Sequence, residues 1–463
     1  MTEPRPTSQI PGPFGGVFGN VSDVREDTPN FYCRLARDYG FVARYRLGLD
    51  HFILLSHPLD IKRILVDNAK NYSKNVLAFK SLRVAFGDGL VTSEGETWQR
   101  HRAMIQPSFK GKALQGFCEK FVAATASMVD AWDKRPKQNG SIDIAAELSA
   151  LTFRIVCSTL LGEQVDQAAT HRLGETPTIF NRYVDSQVSS IFPIPFHWRT
   201  PGNERMREAL RVFDETVYAI IKHAREHPDY APTSLVSMML KAQEAGTTLT
   251  DRELRDEIVT IMIAGHETTA NALAWAFYLL SQHPHIERRL RTELNTVLAG
   301  RTPTYQDLKH LPYLHNVLQE SMRIFPPVHA IPRLAVADDV LGGYRIPAGT
   351  TVFVGLYTVH HHPEFWPNPE GFDPDRFEGR TATTDIEKYS YLPFGAGPRQ
   401  CIGQVFAMLE AQLIMATVLQ RYRLDLVPGH VVTPEPLVTI RPKTGILMHL
   451  TRPDQAATLK AAV

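Results

Sequence analysis

Cysteine is scarce and scattered in this sequence: Cys33, Cys118, Cys157 and Cys401 are its four, with no C-x-x-C pair among them. That spacing argues against a disulfide framework and against a structural zinc site. Charge of one sign is also missing, since 50 Lys+Arg stand against 49 Asp+Glu for a net +1. A nucleic-acid-binding domain would carry a clear basic excess, so no nucleic-acid partner is expected. The opening residues MTEPRPTSQIPGPFGG lack the apolar segment of a signal peptide. Uncharged stretches such as Thr268 to Gln282 fall short of the roughly 18 apolar residues that suggest a spanning helix. These absences predict a soluble, reducing, cytoplasmic protein with no membrane anchor.

No linker, repeat or low-complexity block interrupts the chain after a Pro- and Gly-rich lead-in over residues 1–20, so residues 21–463 read as one large domain. Between Pro58 and about Leu298 the apolar residues recur at helical spacing, clearly so in Phe117–Trp132, Ile144–Leu161 and Val212–Ala224. Short β-rich runs occur at Val42–Leu47, Phe52–Leu55, Thr351–Val354 and Gly445–Leu450. The longest helical candidate starts at TDRE, where Thr250 and Glu253 form a capping-box pattern, and continues to about Gln282. Inside it, AGHETT (Ala264 to Thr269) is a polar knot between two apolar runs. Glu267 and Thr268 are costly to bury without partners, so they are expected to face a wet cavity.

FGAGPRQCIG, Phe394 to Gly403, sets one cysteine among three glycines and an arginine just before an amphipathic segment, Ile402 to Leu419. A sulfur near a helix N-terminus and free N–H groups favours its anionic form. Gly395 and Gly397 permit a tight turn, and Gly403 leaves room for a flat partner close to the chain. On these grounds Cys401 is a nucleophile, a redox thiol or a metal ligand. His360-His361-His362 is expected to be structural.

At every defined position Phe394, Gly397, Arg399, Cys401 and Gly403 fit FxxGxRxCxG, and the chain resembles the haem-thiolate monooxygenases, the cytochrome P-450 family, of soluble bacterial type. Further motifs stand in the family's order: Trp98 to Arg102 as WxxxR, Ala264 to Thr269 in the long central helix, Glu320 to Arg323 as ExxR, and Phe372 to Phe377 as the segment that supplies Arg376. The resemblance runs from roughly residue 11 to 450. It implies a mainly α fold with small β-sheets (α+β), triangular in outline, with the long helix crossing over the haem.

The resemblance also assigns roles. Cys401 would be the axial thiolate of haem b. Trp98, Arg102, Arg399, His101 and Arg333 would face the haem propionates, two carboxylates that need Arg-type partners. Ala264, Phe394, Gly395 and Gly403 would lie against the haem, Ala264 and Gly265 being small for that close passage, and His266 would face away. Glu267 and Thr268 would serve catalysis by delivering protons to bound dioxygen. Glu320, Arg323 and Arg376 would form a buried structural triad. Ala264, Thr268, Val328, Ile331 and Val438 would line the substrate pocket, under a lid containing Ile191, Phe192, Ile194 and Phe196 whose apolar character suggests a lipophilic substrate: a fatty acid, terpenoid or steroid. Because the sequence ends soon after the last strand candidate, electrons are expected from a separate ferredoxin or flavodoxin-type donor with its reductase, with Arg100, Lys110 and Lys112 as candidate contacts of a monomeric enzyme. Two other readings are a peroxide-driven haem hydroxylase or peroxide-rearranging isomerase, against which the Glu267–Thr268 pair speaks, and a haem-based binding or sensing protein without turnover.

Overall fold

The computed structural model describes residues 3–134, 141–162, 176–190, 192–229, 231, 234–244, 249–380 and 383–452. Helices of ten residues or more are labelled in chain order α1 (Val21–Tyr39), α2 (Leu77–Phe86), α3 (Gly95–Ile105), α4 (Lys112–Asp133), α5 (Ile144–Val156), α6 (Thr176–Val188), α7 (Pro201–Glu226), α8 (Leu235–Glu244), α9 (Asp251–Gln282), α10 (Pro284–Leu298), α11 (Pro312–Ile324) and α12 (Gln404–Arg421). The strands are β1 (Val42–Leu47), β2 (Asp50–Leu55), β3 (Tyr72–Ser73), β4 (Ser141–Asp143), β5 (Ala330–Ala335), β6 (Asp339–Leu341), β7 (Tyr344–Ile346), β8 (Thr351–Gly355), β9 (Arg423–Leu426), β10 (Pro434–Pro436), β11 (Ile440–Pro442) and β12 (Leu447–Thr451). The fold is therefore mainly helical with small sheets, and each helix and strand expected from periodicity is present with ends shifted by a few residues, except that α7 begins at Pro201, eleven residues before the expected Val212.

α9 organises the molecule. Thr250 accepts from the Glu253 N–H while the Glu253 carboxylate accepts from the Thr250 N–H, so the capping box closes in both directions. At 32 residues the helix is about 48 Å long. It is buried on nearly every side: α5 lies along it, and α11, α12 and α7 pack on other faces. A helix apolar all round belongs in the centre of a large core, and that core also takes in α4, α6 and α10. α5 runs on into a π-helical turn, Cys157–Leu161, that stops at Gly162 in the left-handed region. Ile144–Leu161 is apolar and long enough to cross a membrane by composition, and 61% of it is buried against the rest of the chain.

The largest sheet has the order β1-β2-β8-β5-β3. β1 and β2 form an antiparallel hairpin, β2 runs parallel to β8, and β5 pairs antiparallel with both β8 and β3. The lead-in is built into this end of the molecule: Arg44 N–H donates to the Pro11 carbonyl (2.8 Å), and Ile10 is fully buried. β4, β12 and β9 form a second sheet, β10 and β11 a short ribbon, and β6 and β7 a hairpin.

Behind α11 a buried charge cluster fixes the segment that leads to Cys401. Glu320 and Arg323, one helical turn apart, are both fully buried. Arg323 Nε and Nη2 donate to the two oxygens of Glu320 at 2.7 and 2.9 Å, and Arg376 Nε donates to Glu320 Oε1 at 3.1 Å. Arg323 also donates to the carbonyls of His360, Pro369 and Gly371. Buried charges persist when paired and hydrogen-bonded in this way. The histidine run serves the same segment: Leu392 N–H donates to His360 Nε2 (2.9 Å), and His361 Nδ1 donates to the Tyr357 carbonyl (2.9 Å).

Candidate functional site

α9 announces the site by its burial pattern. From Leu254 to Phe277 every residue is buried except Ala264, Gly265, Glu267 and Thr268, which are half-buried. Ala264, Glu267 and Thr268 lie at three and four spacing on one face, so an otherwise sealed helix opens to a hollow along one turn. Gly265 answers a different need from the one its place beside Ala264 suggests. A Cβ there would stand 3.2 Å from Val156, so its small size serves the packing of α5. His266 points away, into α5, where Nε2 meets the Ser149 hydroxyl at 3.0 Å and burial pushes its pKa down to about 4. Thr268 Oγ1 donates to the Ala264 carbonyl, four residues back, at 2.7 Å.

The Cys401 loop approaches from the start of α12. Its turn is fastened by Gly397, with φ of 70°, whose added Cβ would lie 1.9 Å from the Leu65 carbonyl oxygen. Glycine alone fits that position. Gly395 lies against Ile331 of β5, and Cys401 N–H donates to the Phe394 carbonyl at 3.0 Å. A Cβ on Gly403 would reach only ordinary contact distance from Phe109 and the Cys401 sulfur. The Cys401 side chain is accessible to solvent, yet it lies in a protein-walled recess. Burial there pushes the thiol up, and the Gly403 N–H and the Arg102 charge only partly oppose it. A positively charged partner such as a metal ion would favour the thiolate there.

Around that recess stands a set of cations with little acidic compensation among the described residues. Arg399 lies over the Trp98 ring at 3.9 Å, Arg102 donates to the Gln400 carbonyl at 2.9 Å, and Arg333 on β5 is buried over the Phe79 ring. Burial, with repulsion from a neighbouring arginine, pushes Arg333 and Arg399 each down to about 10. Lys74, at the end of β3, joins them: it is buried, donates to the Val91 carbonyl at 2.5 Å, and is pushed well down by burial and then by Arg399 and Arg333. Glu94 is the acidic group that opposes all three, and one of its oxygens is engaged by the Lys74 backbone N–H (2.6 Å). Arg399 Nη1 is buried without a hydrogen-bond partner. Mutually repelling buried cations with an orphaned donor suit a dianionic ligand. A haem, with two propionates for these cations and an iron for the Cys401 sulfur, fits the residues present.

His101 departs from the expectation that it joins this set. It lies 100° round α3 from Arg102 and is fully buried against α9, its Nδ1 2.6 Å from Glu257 Oε1. It is an internal tie between α3 and α9. Arg100 is likewise paired, with Glu253. Lys110 is exposed, while the side chain of Lys112 lies outside the described residues, as does Ile191 of the expected lid. In that lid Phe192, Ile194 and Trp198 are exposed. Val328, Ile331 and Val438 are half-buried, and the Ile440 N–H to Pro327 carbonyl bond (2.9 Å) brings the segments of Val328 and Val438 together.

Glu267 is held from outside its own helix. Oε1 accepts from Thr439 Oγ1 at 2.8 Å and from Asn181 Nδ2 of α6. Burial lifts its pKa to about 7, against the lowering influence of Thr439, Arg441 and Asn181. The structure thus offers a recess with a thiol and an anion-binding set, and an opened turn of α9 with a carboxyl near neutrality beside a hydroxyl. Sequence reading missed Lys74, Asn181 and Thr439 as partners, because a lone Lys, Asn or Thr outside a motif carries no signal until the fold buries it.

A family model described as Cytochrome P450 matches residues 6–449. The chain is 34% identical over 397 residues to Cyclooctat-9-en-7-ol 5-monooxygenase of Streptomyces melanosporofaciens, covering 84% of each. It is 31% identical over 438 residues to Pentalenene oxygenase of Streptomyces avermitilis, covering 94% of this chain and 95% of that one. It is 30% identical over 453 residues to the chloroplastic protein LUTEIN DEFICIENT 5 of Arabidopsis thaliana, covering 94% and 74%.

Proposed function

Because the chain belongs to the cytochrome P450 family and is a monooxygenase of the haem-thiolate kind, we propose that it hydroxylates or epoxidises an alicyclic, unsaturated, terpenoid-like molecule with electrons from a ferredoxin or flavodoxin-type donor and its reductase. The observation that carries the reading is the single opened turn of α9, Ala264, Glu267 and Thr268, in a helix otherwise sealed for its central length. The names of two relatives, Cyclooctat-9-en-7-ol 5-monooxygenase and Pentalenene oxygenase, support the substrate class. Apolar Ala264, Val328, Ile331 and Val438 agree with it, since they offer a pocket surface without charge. Residues 21–463 would act as one haem-binding unit.

Bound haem b, with the Cys401 sulfur as its axial thiolate, would supply the iron at which dioxygen is reduced and a C–H or C=C bond is oxidised. The chain supplies the surroundings. Lys74, Arg333, Arg399 and Arg102 would hold its two carboxylates through charge-assisted bonds, with the Trp98 ring stacked on Arg399. The Gly403 N–H bonds the Cys401 sulfur and draws some of its charge away. Thr268 Oγ1 holds a proton now directed at the Ala264 carbonyl, and rotation about its Cβ–Oγ1 bond would turn that proton to the hollow. Glu267 takes protons from solvent and releases them at a carboxyl oxygen, a task suited to a pKa near the working pH.

The test has two arms. A reduced, carbon-monoxide-bound spectrum with the red-shifted Soret band of thiolate ligation is expected, and its absence overturns the Cys401 assignment. Cyclic terpenes and terpenols should shift the resting spectrum from low to high spin and be oxygenated when a ferredoxin or flavodoxin system is supplied, and peroxide should not replace that system. Spin shifts given only by straight-chain fatty acids or by steroids would overturn the substrate class.

A further inference from the structure

The placement of Glu267 invites a question that its motif does not answer, namely what decides where its carboxyl points. Three side chains on one face of α9, Glu267, Asn271 and Trp275 at four-residue spacing, all reach the β10–β11 ribbon. Trp275 Nε1 donates to the Ile440 carbonyl at 3.0 Å and fastens the ribbon to the helix. Asn271 Nδ2 donates to Thr439 Oγ1 at 3.3 Å, which leaves the hydroxyl proton of Thr439 free to point at Glu267 Oε1, 2.8 Å away. The second donor to the same oxygen is Asn181 Nδ2, from a buried side chain on α6. Among the described residues, no donor reaches Oε2.

α6 is itself tied to the ribbon. Arg441 Nη1 donates to Thr178 Oγ1 at 2.6 Å, and Phe180 is buried against Phe213 of α7 with ring centroids 5.4 Å apart. α6 also leads directly into the segment that carries the exposed Phe192 and Ile194. One carboxyl oxygen is therefore gripped by two neutral donors from two separate elements, and the other is left to work.

Resting on the reading of Glu267 as a proton carrier, we propose that Asn181 and Thr439 are positioning residues that clamp Oε1 of Glu267, so that the acid is correctly placed only while α6 is seated on the β10–β11 ribbon. The clamp assigns distinct tasks to the two oxygens: Oε1 is the anchor and Oε2 exchanges the proton. It also links proton delivery to closure of the pocket, because lifting α6 withdraws one of the two donors. Hydrogen bonds to a carboxylate favour its charged form, so the clamp holds down a group that burial pushes up. The other charged groups nearby are Arg441 and Glu435 on the ribbon, and Arg182 and Asp185 on α6. Arg441 adds to the lowering, while its own bonds to Glu435 and the contact of Arg182 with Glu435 leave those charges largely paired. His266, next on α9, is buried in its neutral form and turned into α5.

The experiment uses the holoenzyme with Asn181→Leu, Thr439→Val, and Thr439→Ser as the conservative control. Two readouts are taken across pH: the protonated-carboxyl infrared band that disappears in Glu267→Gln, and the product formed per electron pair consumed. Asn181→Leu and Thr439→Val should each raise the midpoint of the infrared band by about one pH unit, the scale of one lost donor to a carboxylate, and Thr439→Ser should restore it. The fall in coupling at high pH should move up by the same interval. Hydrogen exchange of α6 should quicken in Asn181→Leu. If the infrared midpoint is unchanged in both variants, or if they alter only KM or thermal stability, the clamp is refuted. If the midpoint moves but the coupling profile stays, the clamp stands and the reading of Glu267 as the proton carrier falls.

Discussion

Replacing Glu320 by Gln isolates the charge of the buried triad while conserving its shape. Glu320 Oε1 accepts from Arg323 Nη2, Asp373 N–H and Arg376 Nε, and Oε2 accepts from Arg323 Nε. The better orientation of a Gln amide keeps its oxygen at the three-donor site and sets its NH2 against the Arg323 Nε–H, donor against donor. One charge-assisted bond is lost, and the fully buried Arg323 guanidinium loses its counter-charge. Breaking a buried pair in this way costs about 3–5 kcal/mol. For 463 residues, an unfolding entropy of about 2.1 cal/mol/K per residue totals about 1 kcal/mol/K, so Tm should fall by about 3–5 °C. Arg376→Leu removes one of the four bonds to Glu320 and the bonds to the Pro367 and Asn368 carbonyls but leaves the Glu320–Arg323 pair intact, so it should cost less than Glu320→Gln. Calorimetry of the three proteins, with haem content measured alongside, checks the ordering. A Glu320→Gln shift below about 1 °C, equal to about 1 kcal/mol, would show that the carboxylate charge is not what locks this segment.

Lys74→Met removes one of three mutually repelling cations, of which Lys74 and Arg333 are buried and Arg399 is half-buried. The haem-free protein should keep or gain stability while the haem-to-protein ratio falls, and loss of both would contradict the anion-binding role. Glu410 on α12 is fully buried, and burial pushes its pKa well up against the neighbouring Thr269 hydroxyl. Its folded form holds a proton that the unfolded form releases near its ordinary 4.5, so its contribution is present below that pH and is lost as pH rises through the folded value. Glu410→Gln should flatten this decline when unfolding is followed from pH 4 upward, and an unchanged slope would mean that Glu410 is charged in the fold. Thr250→Ala deletes the cap that accepts from the Glu253 N–H and should cost about 1 kcal/mol in chemical denaturation.

Much of the architecture was legible because it follows local rules. The capping box at Thr250 and the apolar run to Gln282 specify α9 whatever surrounds it, and the glycines and arginine at Phe394–Gly403 identify a loop built around a sulfur. The family resemblance rests on those same residues, and the match over residues 6–449 agrees with it. Spacing along a helix, however, shows only which residues share a face. It could not say that His101 turns toward Glu257 while Arg102, its neighbour, turns toward Gln400, or that Gly265 is small for the sake of Val156.

The sequence by itself determined the long central helix, the cysteine loop, the Glu-Arg pair at one-turn spacing and the near-neutral surface, since each depends on residues close together in the chain. Only the tertiary structure decided how the charges are shared. It gathers Lys74, Arg333 and Arg399, far apart in the chain, around one recess with little acidic compensation. It brings Asn181 and Thr439 from opposite sides onto a single oxygen of Glu267. It also sets burial at Cys401 against the Gly403 N–H and the Arg102 charge. The physical reason is common to all three: desolvation and through-space charge depend on which atoms exclude water around a group, and that is a property of packing between elements distant in sequence.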